Sequence, residues 1–199
     1  MAHSYHSKPQ IVARPGFYIL ISLLVLFLPL KWVLAWLVAA AVHETSHYIA
    51  LSLLQCRIFS ITVGVYGAVI DADTHSDLRE CLCAAAGPLS GILLVGLGRF
   101  IPYIAVCALF QTAFNLLPIT GFDGGRIVCF IISSVFPAKY TQRICETIEL
   151  VSAVGILAVA IFLTFRLKVG TLPLIFAMVV FLRIKPLKIP CKQRRQIVQ

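Results

Sequence analysis

The sequence predicts an all-α polytopic membrane protein with about six transmembrane helices, a broken fourth span and a short membrane-associated β-hairpin. Three observations predict it. Hydrophobic residues make up 60% of the 199 and charged residues only 13%, more apolar surface than a soluble domain of this length can hide. The apolar residues lie in long blocks, each bounded by a charge, a proline or a polar cluster. The basic residues are segregated. With both termini in the cytoplasm, Lys8, Arg14, Arg57, Arg79, Arg126, Lys139, Arg143 and the six of the tail fall inside, and only Lys31, Arg99, Arg166 and Lys168 fall outside.

The first span is Gly16–Leu30, ending at Pro29 and Lys31, and the second is Trp32–Leu54. Cys56–Ile70 follows, rich in β-branched residues and glycine, then the polar loop Asp71–Glu80. Within Cys56–Ile70, Ile58–Ile70 reads as a hairpin dipping toward the candidate site. The third span, Cys81–Gly98, stops at Arg99. Ile101–Phe136 is too long for one helix, and Asn115, Pro118, Gly121, Gly124 and Gly125 place a break in its middle. Glu149–Phe165 and the short Leu172–Leu182 complete the set, and Arg183–Gln199 forms a basic cytoplasmic tail. The whole chain, 1–199, reads as one membrane-embedded domain with its core at 32–136. The N-terminal segment does not resemble a cleaved secretory signal, so the first span is expected to remain.

A net charge of +9 follows the positive-inside distribution, and no aromatic residues are interleaved with the tail's charges, which argues against nucleic acid as a partner. Seven cysteines, several inside apolar runs, suggest no disulfide framework, and Cys81-x-Cys83 reads as ordinary small apolar packing.

Of the eight acids, Glu44 and Asp123 fall inside predicted membrane segments, and Glu149 and the others fall in loops or at span edges. His43 and His47 lie beside Glu44, whereas His3, His6 and His75 occupy polar segments. An ionisable group at membrane depth costs roughly 2.5–3.5 kcal/mol on insertion scales, so several together need a strong compensating partner such as a divalent metal. His43-Glu44-Thr45-Ser46-His47 is H-E-x-x-H. On a helix its two imidazoles stack one turn apart on one face and can reach one zinc ion, with Glu44 beside the metal rather than on it. Zinc lowers the pKa of a water it holds to roughly 7, and Glu44 can take up that proton and deliver it to a leaving amine. Asp123 is the remaining acid at membrane depth and supplies the third ligand that a catalytic site requires. Asn115 either satisfies backbone freed by the break or contacts substrate. A metal transporter using the same residues is the alternative function, but a transporter generally needs several ligand sets along a path, and this chain offers one.

The motifs HETSH at 43–47, AAAGPLSG at 84–91 and NLLPITGFDGGR at 115–126 together resemble the site-2 protease family of intramembrane zinc metalloproteases, over roughly residues 32–136. The resemblance implies His43, His47 and Asp123 as ligands of one Zn2+, Glu44 as the general base and Asn115 as a substrate contact. It implies a membrane-associated protein substrate in the lipid bilayer and admits an inhibitory or regulatory membrane partner. The layout is similar to the sporulation-type (stage IV sporulation protein FB-like) branch, which processes an inactive sigma factor, in a bacterial cytoplasmic or forespore-type membrane. Two features depart from that branch: the expected absence of a C-terminal nucleotide-sensing CBS domain, and Ser90 where the family often has asparagine. AAAGPLSG reads as a stretch of small residues for close helix packing.

Overall fold

The computed structural model describes residues 10–64, 67–74, 76–167 and 170–183. His3, His6, His75 and the basic tail beyond Arg183 lie outside the described residues. The chain divides into two compact units, residues 1–114 and 115–199.

The first unit opens with strand β1 (Gln10–Ala13) and helix α1 (Pro15–Phe27), whose start is set by a proline where no backbone N–H is required. Helix α2 (Leu30–Leu53) follows, then β2 (Arg57–Gly64), β3 (Gly67–Asp73), α3 (Asp77–Gly96) and α4 (Pro102–Asn115). Ser76 caps α3 by accepting a hydrogen bond from the Arg79 N–H at 3.3 Å, and Asp77 and Glu80 in the first turn complement the helix dipole.

The turn out of α2 determines where the sheet lies. Gln55 adopts a left-handed conformation (φ 55°), its N–H donates to the Ser52 carbonyl, and the Cys56 N–H donates to the Leu51 carbonyl at 2.9 Å. This is the six-to-one helix stop that glycine normally makes, here built with a side chain. Cys56 then packs on Leu51 and Cys83, with Ile58, Ile70 and Ala72 around them, which fixes the strands against α2 and α3.

The expected hairpin is present as β2 and β3, antiparallel, with a register shift between Ile58 and Ser60. The all-α expectation is nevertheless corrected, because β1 pairs in parallel with β2 to make a three-stranded sheet of order β1-β2-β3. Ile11 and Val12 favour a strand, but four residues before the first apolar block are too few to read as one. Their partner makes them one.

The second unit contains α5 (Asp123–Val135), α6 (Ala138–Phe165) and α7 (Leu172–Arg183). The expected break in the fourth span is the loop 116–122 between α4 and α5. The helix of the expected fifth span, α6, starts eleven residues before Glu149, at Ala138, so Glu149 is a helix-interior residue rather than a span edge. Thr141, Cys145, Glu149, Ala153 and Ala160 form the buried stripe of α6. Leu150, Val151, Val154, Phe162 and Phe165 remain exposed, as a lipid-facing surface requires. Of the six expected spans, α3 and α6 are by themselves long and apolar enough to cross a membrane, and α1 is a shorter apolar helix.

Candidate metal centre

In the first unit the histidines of HETSH continue the buried stripe of Ala35 and Ala39 along α2. His43 is 3% exposed. The rings meet edge to face, with centroids 4.8 Å apart, and their Nε2 atoms are 3.2 Å from each other. Two nitrogens at zinc-ligand distance on a tetrahedral ion would lie about 3.3 Å apart. The Nδ1 of His47 lies 2.7 Å from the Cys83 carbonyl. A carbonyl only accepts, so Nδ1 carries the proton and Nε2 keeps its lone pair for a metal.

Gly87 explains how α3 comes so close. A Cβ built there would lie 2.6 Å from both Nε2 and Cε1 of His43 and would also collide with Nε2 of His47. The space that a side chain would fill is the space in front of both Nε2 atoms. The sequence reading assigned this glycine to helix packing alone. Its contact with the imidazoles could have been anticipated only by knowing which α3 residue faces His43. Ser90, where the family often has asparagine, donates to the Gly87 carbonyl of its own helix at 2.7 Å.

Glu44 is half-buried on the same helix. Its Oε1 accepts from the Ala68 N–H at 3.3 Å, at the start of β3, and a Cβ on Gly67 (φ 102°) would be 3.3 Å from the same oxygen. The hairpin therefore reaches the carboxylate with backbone rather than side chains, which fixes the orientation of Glu44.

In the second unit Asp123 is the first residue of α5 and is 8% exposed. The loop before it is folded tightly over the helix start. Gly121 has φ 95°, the Phe122 N–H donates to the Ile119 carbonyl at 3.1 Å, and Ile119 is fully buried. Backbone fills the positions that side chains would take at Gly124 and Gly125. The carbonyls of Leu116 and Leu117 crowd the first, and the Ile119 carbonyl crowds the second. Gly124→Ala is therefore expected to destabilise by roughly 1–3 kcal/mol through overpacking, read as a lower melting temperature in detergent. Gly155→Ala, in α6 with nothing near its Cβ, should stabilise by up to about 1 kcal/mol, read as a higher melting temperature. Equal shifts at the two sites would refute this account.

The loop also has a partner that sequence reading missed. Glu149 of α6, 4% exposed, accepts from the Thr120 backbone N–H at 3.2 Å and from the Thr120 hydroxyl at 2.6 Å. Asn115 is half-buried and closes α4 at the start of the loop.

Residues 84–160 match the model for Peptidase family M50, a match that includes Gly87, Asn115, Asp123 and Glu149 but begins after HETSH. None of the curated proteins matches the sequence. Among solved structures, a site-2 protease from Methanocaldococcus jannaschii is similar in fold, with a TM-score of 0.61 over 87% of this chain and 89% of that one, at 21% identity. Family pattern and fold thus point the same way: this chain is similar to site-2 proteases of Peptidase family M50.

Proposed function

We propose that this chain is an intramembrane zinc metalloprotease that hydrolyses peptide bonds of membrane-associated proteins. His43, His47 and Asp123 are the metal ligands, Glu44 the general base and acid, and Asn115 a substrate contact. The observation that carries the reading is the histidine pair: the Nε2 atoms of His43 and His47 lie 3.2 Å apart, the separation of two ligands on one tetrahedral zinc, and Asp123 completes the donor set by the motif pattern. Two neutral imidazoles and one carboxylate suit zinc, and the gap over Gly87 leaves room in front of the imidazole nitrogens.

When bound, the ion supplies Lewis acidity, bringing the pKa of a water to roughly 7 and polarising the scissile carbonyl. The chain's own residues do the rest. Glu44, oriented through Ala68, takes the proton of the attacking water and passes it to the leaving amine. The hydrogen bond from Nδ1 of His47 to the Cys83 carbonyl keeps its ring aimed with Nε2 forward. A substrate helix has its carbonyls bonded internally and must unwind before attack. In the order β1-β2-β3 the far edge of β3 has no strand beside it among the described residues, and an unwound segment can add there.

His47 lies seven residues before Leu54, roughly 10 Å along a helix, so with both termini cytoplasmic the cut falls in the cytoplasmic half of the membrane. The expected six-span layout with cytoplasmic ends favours the sporulation-type branch, with an inactive sigma factor as the substrate class to try first.

The test uses full-length protein purified in detergent. One zinc per chain is expected, absent from His47→Ala. Cleavage of a membrane-anchored substrate should stop on chelation and return with added zinc. Cleavage by metal-free protein would sink the reading. So would zinc transport into vesicles without any cleavage, which favours the transporter.

A further inference from the structure

We propose that Glu149 is a positioning residue for Asp123: it clamps Thr120 and so holds the loop 116–122 in the shape that presents the Asp123 carboxylate. The proposal rests on the reading of Asp123 as a metal ligand.

Glu149 is almost fully buried in the interior of α6, a helix whose other buried positions are small or apolar apart from Thr141. An acid is a costly choice there unless its oxygens are hydrogen-bonded. Its contacts show what the acid does. Each carboxylate oxygen accepts one hydrogen bond, Oε1 from the Thr120 backbone N–H and Oε2 from the Thr120 hydroxyl. Both donors belong to one residue, so the clamp fixes the orientation of Thr120 as well as its position.

Thr120 stands three residues before Asp123. Between them are Gly121, with φ 95°, and the buried Phe122, which is the N-cap of α5. On the α5 side, the loop carbonyls of Leu116, Leu117 and Ile119 already press on Gly124 and Gly125. The loop is thus held from two directions, by backbone contact with α5 and by the carboxylate from α6. Phe122 provides no side-chain cap to α5. The direction of the Asp123 side chain is then set by the path of the loop, and Glu149 fixes that path.

The experiment uses full-length protein in detergent and compares the parent with Glu149→Gln, Glu149→Leu and Thr120→Val. Glutamine can still accept from the Thr120 N–H, and its amide can donate to the hydroxyl once that group turns, so Glu149→Gln should keep zinc affinity within a few-fold of the parent. Glu149→Leu should weaken zinc binding by ~10–100-fold, as loss of an outer-shell partner does, with cleavage recovered at excess zinc. Thr120→Val should fall between them. Hydrogen exchange in metal-free protein gives a second readout. Peptides covering 116–122 should exchange faster in Glu149→Leu, with those of α7 unchanged.

Parental zinc affinity in Glu149→Leu would overturn the proposal. If that variant does not fold, parental affinity in Thr120→Val overturns it equally. Loss of cleavage in Glu149→Gln with zinc retained would also overturn it, since that result assigns Glu149 a charge-dependent part in the reaction. His47→Ala separates the two readings. If it binds metal as the parent does, the metal-site reading fails, and the exchange result still decides whether Glu149 orders the loop.

Discussion

Glu44→Gln is expected to reduce cleavage by ~10²–10⁴-fold while leaving zinc in place. The substitution is nearly isosteric, and the amide oxygen can still accept from the Ala68 N–H that meets Glu44 Oε1 at 3.3 Å. The hairpin contact therefore survives. What disappears is a group basic enough to take a proton from water. Removing a charge at membrane depth also favours insertion, so a loss of activity cannot be blamed on poor assembly. Co-expression with a membrane substrate, together with zinc content of the purified protein, measures both halves. Unchanged cleavage would remove Glu44 from the mechanism. Loss of zinc along with activity would make it a ligand or a structural support.

Gly87→Ala should empty the metal site. Ordinary van der Waals contact needs at least 3.4 Å, and the added methyl would stand 2.6 Å from the His43 Nε2. Either α3 withdraws by on the order of 1 Å or the imidazoles rotate, and a misplacement of that size is worth about 10²-fold in a catalytic site. The neighbouring positions offer no slack, since Cys83 is packed with Leu51 and Cys56 and its carbonyl holds His47. Alanine favours a helix over glycine by about 1 kcal/mol, so α3 itself should be no weaker. The expected signature is thus a folded protein with little zinc. Parental zinc content would show that the helices can separate without loss, and the steric account would fail.

Much of this was legible in the residues. The pairing of His43 and His47 was legible in HETSH because two histidines four apart share a helix face, and charge inside an apolar run demands a reason. The buried acid at Asp123 was legible for the same reason, and the break before it because proline and glycines interrupt an apolar block. The Ile58–Ile70 hairpin was legible in its β-branched and glycine composition, but β1 was not, because a strand of four residues is defined by its partner. Nor was the turn at Gln55, since a side chain occupies the position where glycine would have signalled it. Glu149 was misread as a span edge because the polar residues Ala138–Thr147 looked like a loop. Their stripe of Thr141 and Cys145 becomes visible only once α6 is known to begin at Ala138. Gly87 was legible as a packing residue. What it packs against depends on how α2 and α3 cross, which sequence does not state.

The closeness of α3 at Gly87 has a consequence for which cations the protein can accept. A floor made of main chain cannot swing aside as a flexible side chain would, and the Leu51, Cys56 and Cys83 cluster resists any widening between the helices. On the proposed metal reading the gap would act as a gauge, favouring a small ion over cadmium or calcium, whose longer bonds would press α3 away from the two rings.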